Sequence, residues 1–165
     1  MKRVQGLTVP SMHAAVRGPV GDRSFAALAT LKNSQTYHGS TLEIALPHFT
    51  LHHSANLTDL DVGRCLTTVN AALAESGHFE EIDIKSRAFQ AEQFLVGVEA
   101  RGRAFVAGTL SVLTGRSDDT RREMGAIALK ALVACIPATS ELHIQVSVEV
   151  VEIQRETYAK AVIAG

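Results

Sequence analysis

Residues 104–137, AFVAGTLSVLTGRSDDTRREMGAIALKALVACIP, switch once from one apolar period to another, and that switch decides the fold. Ala104, Val106, Gly108, Leu110 and Val112 occupy alternate positions, the period of a strand with one buried face. Ser117 then offers its hydroxyl as a helix N-cap, and Asp118 and Asp119 suit the positive end of the helix it starts. Met124, Ile127, Ala128, Ala131, Leu132 and Cys135 recur at steps of three and four, a buried helical stripe that Pro137 is expected to stop. Leu142, Ile144, Val146, Val148 and Val150 return to strict alternation. The stretch therefore reads strand, helix, strand.

The same order is found upstream. PHFTLHH, residues 47–53, alternates as a strand. Residues 56–76 place Val62, Cys65, Leu66, Val69, Ala72 and Leu73 at helical steps before Gly77. Residues 82–89 read as a second short strand, and a polar, mobile stretch through Gly97 and Gly102 joins the halves. Two tandem β-α-β units, their helix caps about 60 residues apart, predict an α+β fold with a four-stranded sheet and both helices on one face. That domain spans residues 47–165. Residues 1–46 are composed differently: they carry net charge +3 against −4 for the rest, and Pro10 and Pro19 sit among Gly6, Gly18 and Gly21 with no sustained period. They read as a disordered extension, or as sequence upstream of the true translation start.

Composition excludes several classes of function. The chain has 165 residues, a formal charge of −1, six Phe, two Tyr and no Trp. It lacks both the basic surface and the stacking rings of a nucleic-acid binder. No apolar run approaches the roughly 18 residues of a membrane helix, and no basic start leads into a signal-peptide core. A cytoplasmic protein without membrane contact is expected. Cys65 and Cys135 form no CxxC pair and fall in helical stretches, which points to buried thiols rather than a disulfide.

Particular residues carry a resemblance. Pro47-His48-Phe49, Val69-Asn70, Leu73-Ala74, Gly77, Phe79 and Ser86-Arg87 in the first half, then Gly115-Arg116-Ser117, Arg121, Gly125 and Ser147-Val148-Glu149, form an ordered set. The set resembles the 5-carboxymethyl-2-hydroxymuconate isomerase family of the tautomerase superfamily, from Pro47 to about Ile153. The resemblance implies a tautomerase-like fold, a homotrimer, no cofactor, and a small anionic dienol as substrate. It also implies that Pro47, freed as an N-terminal residue, is the catalytic acid/base. A terminal secondary amine titrates near neutrality, with an ordinary α-amino pKa of about 7.7 to 8.0, whereas an internal proline nitrogen is an amide and takes no proton. Exposure of Pro47 is expected through translation from Leu46. Cleavage of a targeting peptide, or retention of the extension in a non-catalytic oligomeric small-molecule binder, are the alternatives.

The remaining implied site residues are cations. Arg116 corresponds to one of the family's substrate-binding arginines, at a strand-to-helix corner where helix-start N–H groups also favour anions. Lys85 stands where the family has its other arginine, keeping the charge without the planar fork. Arg87, two residues on and on the same face of the strand, is the candidate to supply that fork. No metal is expected: His48 and His52 share a strand face, His53 points away, and no Cys or carboxylate at ligand spacing accompanies them. Ser54, Ser86 and Ser117 lack the setting of a hydrolase nucleophile.

Overall fold

The computed structural model describes residues 46–138 and 141–163, so the reading of residues 1–45 as an extension lies outside the described residues. Strand β1 (His48–Ser54) is followed by helix α1 (Val62–Glu75), strand β2 (Lys85–Ala91), strand β3 (Arg103–Leu113), helix α2 (Asp118–Val133) and strand β4 (His143–Ile153). The sheet order is β2-β1-β3-β4. Each β-α-β unit pairs its own strands in parallel, β1 with β2 and β3 with β4, and the two units join through antiparallel β1 and β3. This is the α+β arrangement of two tandem units that the periodicity predicts.

One face of the sheet is the core. Phe49 and Leu51 of β1 and Ala104, Val106, Leu110 and Val112 of β3 are buried against Cys65, Val69 and Leu73 of α1 and Met124, Ala128 and Leu132 of α2. The opposite face carries His48, Thr50 and His52 of β1, with Lys85, Arg87 and Phe89 of β2 beside them in register. Gly108 is required by packing: a Cβ there would stand 2.7 Å from Phe49 Cζ and 3.2 Å from Val148 Cγ2. The ring of Phe49 thus fills the place a side chain would take on β3.

The elements differ from the sequence reading at their ends. Helix α1 begins at Val62, not near Asn56, because Asp61 caps it by accepting the Arg64 N–H at 2.9 Å. Residues 81–83 form a 3-10 turn, so β2 starts at Lys85 rather than at Ile82, which is exposed. Helix α2 ends at Val133, four residues before Pro137, in tighter turns in which the Cys135 and Ile136 N–H groups donate to the Leu132 and Val133 carbonyls. The link between β2 and β3 is anchored rather than bare: Val96 is buried, and Arg103 donates to its carbonyl at 3.1 Å. Cys65 and Cys135 are free and buried. Burial, with the Cys135 thiol alongside, pushes the Cys65 thiol up to about 12, so it stays protonated and inert.

Candidate active site

Because β1 and β3 are antiparallel, the start of β1 lies beside the end of β3, and because β1 and β2 are parallel it lies beside the start of β2. The topology therefore gathers the sequence-predicted residues at one end of the sheet. Pro47 is fully buried directly before β1, and its carbonyl accepts the Lys85 N–H at 3.1 Å. That single bond ties the first residue of one strand to the first residue of the next. A proline fits there because its missing N–H breaks no ladder bond.

Register sets the electrostatics. His48 lies opposite Lys85, and Thr50 opposite Arg87, so both cations share the face on which His48 stands. The His48 imidazole is held below its ordinary pKa of 6.5, first by burial and then by the charges of Lys85 and Arg87. Its Nε2 lies 3.1 Å from the Tyr158 hydroxyl. Lys85 is exposed and donates from Nζ to the Asp83 carbonyl at 3.0 Å.

Arg116 stands in the turn between β3 and α2, half-buried, with its guanidinium carbon 5.2 Å from the centroid of Phe79 in the connection from α1 to β2. The preceding Gly115 has φ 111°, a backbone conformation that an L side chain rarely adopts, and the following Ser117 accepts the Thr120 N–H at 3.1 Å. The corner expected from Gly-Arg-Ser is therefore built as anticipated. A cation over an aromatic face is held without losing its charge. Lys85 and Arg87 come together beside His48, and Arg116 takes the neighbouring corner next to Phe79.

The histidines have individual partners. His52 stacks on Phe89 with centroids 5.3 Å apart, buried His53 lies 3.3 Å from the Ser54 carbonyl through Nδ1, and His78 lies 3.3 Å from Glu123. Among the described residues no three His, Cys, Asp or Glu side chains are grouped closely enough to hold a metal ion. No helix among them is long and apolar enough to cross a membrane. Sequence reasoning passed over Tyr158 and Lys160, which return to this end of the sheet after β4. The one available signal was that Tyr158 is one of only two tyrosines and follows the last strand.

Two parallel β-α-β units joined antiparallel, with a proline leading the first strand, define the tautomerase fold. A solved 5-carboxymethyl-2-hydroxymuconate isomerase from Deinococcus radiodurans R1 is similar, at 24% identity and TM-score 0.65, over 72% of this chain and 90% of that one. A 5-carboxymethyl-2-hydroxymuconate delta-isomerase superposes with TM-score 0.61 at 19% identity, covering 73% and 90%. A fused 4-OT symmetric trimer does so with TM-score 0.55 at 16% identity, covering 69% and 91%. At these identities the likeness is one of fold. No curated protein matches the chain. The family model of 5-carboxymethyl-2-hydroxymuconate isomerase matches residues 47–164, and the chain belongs to that family. Membership places it among the isomerases.

Proposed function

We propose that the protein is a cofactor-independent isomerase that moves a proton along a 2-hydroxymuconate-type dienol, and that its active form begins at Pro47. The free secondary amine of Pro47 removes a proton from one carbon of the conjugated chain. The charge left behind spreads toward the carboxylates, and the protonated amine returns the proton to a carbon further along, so no atom or electron is gained or lost. Lys85, Arg87 and Arg116 hold the carboxylates and stabilise the charge that develops between the two transfers. The observation that carries this reading is the pair of cations on β2 in register with the start of β1, which add to burial, the larger cause, in holding His48 below its ordinary pKa. A nearby cation disfavours the protonated form of an amine, so a freed Pro47 amine beside Lys85 would titrate closer to neutrality and serve as both acceptor and donor.

Assembly as a homotrimer belongs to the same reading. Strand β4 runs for eleven residues with one unpaired edge, and on the sheet face opposite the helices His52, Arg87 and Phe89 are exposed. The fused 4-OT structure of the same fold is a symmetric trimer.

The test is direct. A chain beginning Met-Pro47, from which the initiator Met is removed, is expected to ketonise a 2-hydroxymuconate-type dienol. The 165-residue chain with Met1 retained is expected to be slower by orders of magnitude, because an amide nitrogen offers no base. Intact-protein mass establishes the first residue in each sample. Equal activity of both chains, with Met1 still present on the longer, excludes the amine mechanism.

A further inference from the structure

The segment after β4 makes contacts that proton transfer by Pro47 leaves unused. The Arg155 N–H donates to Thr114 Oγ1 at 3.3 Å, and its guanidinium donates to the Thr114 carbonyl at 3.2 Å. Three residues on, the Tyr158 hydroxyl lies 3.1 Å from His48 Nε2, with the rings 6.0 Å apart. Two residues further, the Lys160 ammonium pairs with Asp83 at 2.5 Å, both side chains being about three-quarters buried. Thr114 follows β3, His48 opens β1 and Asp83 precedes β2, so the three anchors cross the end of the sheet in the order of its strands. Past Lys160 the chain leaves the surface: Val162 and Ile163 are 78% and 94% exposed.

We propose that residues 154–160 form a strap that fixes the start of β1, with Tyr158 acting as a positioning residue that holds His48 and, through it, the Pro47–His48 peptide. The positioning role rests on the reading of Pro47 as the base. A proline that begins the chain is tethered on one side only, and chain ends fray unless they are tied down. The Pro47 carbonyl is tied to the Lys85 N–H, and Tyr158 ties the next residue by its side chain. Two fixed points on consecutive residues set where the amine nitrogen lies. Misplacing a reacting group by about 1 Å costs as much as a hundredfold in rate. The groups facing His48 are Lys85 and Arg87 from β2, uncharged Ser111 from β3, and Tyr158 from the strap. Burial and the two cations favour the neutral imidazole, which has one N–H and one lone pair, and Nε2 pairs with the phenol in either tautomer.

The experiment titrates the His48 imidazole by NMR in the 165-residue chain. The wild-type midpoint is expected below 6.5. Lys160→Ala, which removes an anchor that does not touch His48, is expected to admit water and move the midpoint upward toward 6.5, and Tyr158→Phe to do the same. Lys130→Ala, on the exposed side of α2, should leave it in place. In the form beginning at Pro47, Tyr158→Phe and Lys160→Ala are expected to lower kcat about tenfold with KM within about twofold, since the carboxylate contacts remain while the base is loosened. A midpoint that stays put in both variants overturns the strap. A shifted midpoint with unchanged kcat overturns the positioning role. An inactive Pro47 chain overturns the amine reading, and the positioning role with it, while the titration decides the strap by itself.

Discussion

The resemblance implies a lysine, Lys85, where the family carries a substrate-binding arginine, and the surroundings of Lys85 give that exchange a chemical meaning. An ammonium is a point charge on a flexible stem, whereas a guanidinium grips both oxygens of a carboxylate in one plane. Arg87 stands one pair further along the same face, so the fork absent from Lys85 is present close by. If Arg87 does not supply the grip, Lys85→Arg raises kcat/KM on a dicarboxylated dienol; if it does, that change is silent and Arg87→Ala is the damaging one. If Arg116 holds a carboxylate as proposed, Arg116→Ala removes a charge-assisted contact of about 1.5 to 3 kcal/mol and lowers kcat/KM roughly tenfold to hundredfold with the fold retained by far-UV circular dichroism. Steady-state kinetics on the Pro47-started enzyme separate these outcomes, and unchanged kinetics in all three variants would remove the anion clamp. The candidacy of the three cations came from the family resemblance; what the residues themselves made legible was placement, Lys85 and Arg87 two apart on one strand face and Arg116 in a Gly-Arg-Ser corner before a helix. Tyr158 was not legible, since its partner lies 110 residues away and no local period points to it.

At the scale of the elements, the strands and helices follow the apolar period and their ends follow hydrogen bonds that the period does not encode. The alternation of β3 was readable residue by residue because every second side chain enters one core. Ahead of α1, Leu57 and Leu60 are buried without being helical: they lie in turns closed by the Leu57 and Leu60 N–H groups donating to the Ser54 and Leu57 carbonyls. Their spacing imitates the helical period. Ile82 misled in the opposite way, being apolar and 87% exposed in a 3-10 turn. Gly108 shows the element scale acting on stability: its Cβ site is already occupied by Phe49, which is fully buried and has no space into which to retreat. Gly108→Ala is therefore expected to destabilise the fold by about 1 to 3 kcal/mol, as overpacked core positions do, despite the better strand geometry of alanine. Denaturant melts measure it, and a neutral or stabilising result would mean that β1 and β3 part more easily than their packing implies.

At the scale of the whole molecule, the unanswered question is what covers the sheet face opposite the helices. Phe89 and His52 stack there, Thr50 and Thr109 stand opposite one another on β1 and β3, and Ser111 pairs with Val151 of the outer strand. Val150 and Val151 are consecutive and both half-buried, so β4 is apolar on its two faces near the end closest to the candidate site. An isolated chain would expose that edge to uncontrolled pairing, which proteins avoid by covering or closing it. The proposed trimer answers this by burying the strand against a second copy, and it also brings a neighbouring chain to the end of the sheet where Pro47, Lys85 and Arg87 lie. Val151→Asp places a charge on the open face of that strand without entering the helix-covered core, since Val151 shares its face with Glu149 and Ser147. The expected result by light scattering at micromolar concentration is a trimer for the wild type and smaller species for the variant, with similar far-UV circular dichroism. If the site is completed between copies, isomerase activity should fall with the trimer fraction and recover at high protein concentration. A wild-type monomer with full activity would show instead that one chain carries the whole site, and that the open face serves another purpose.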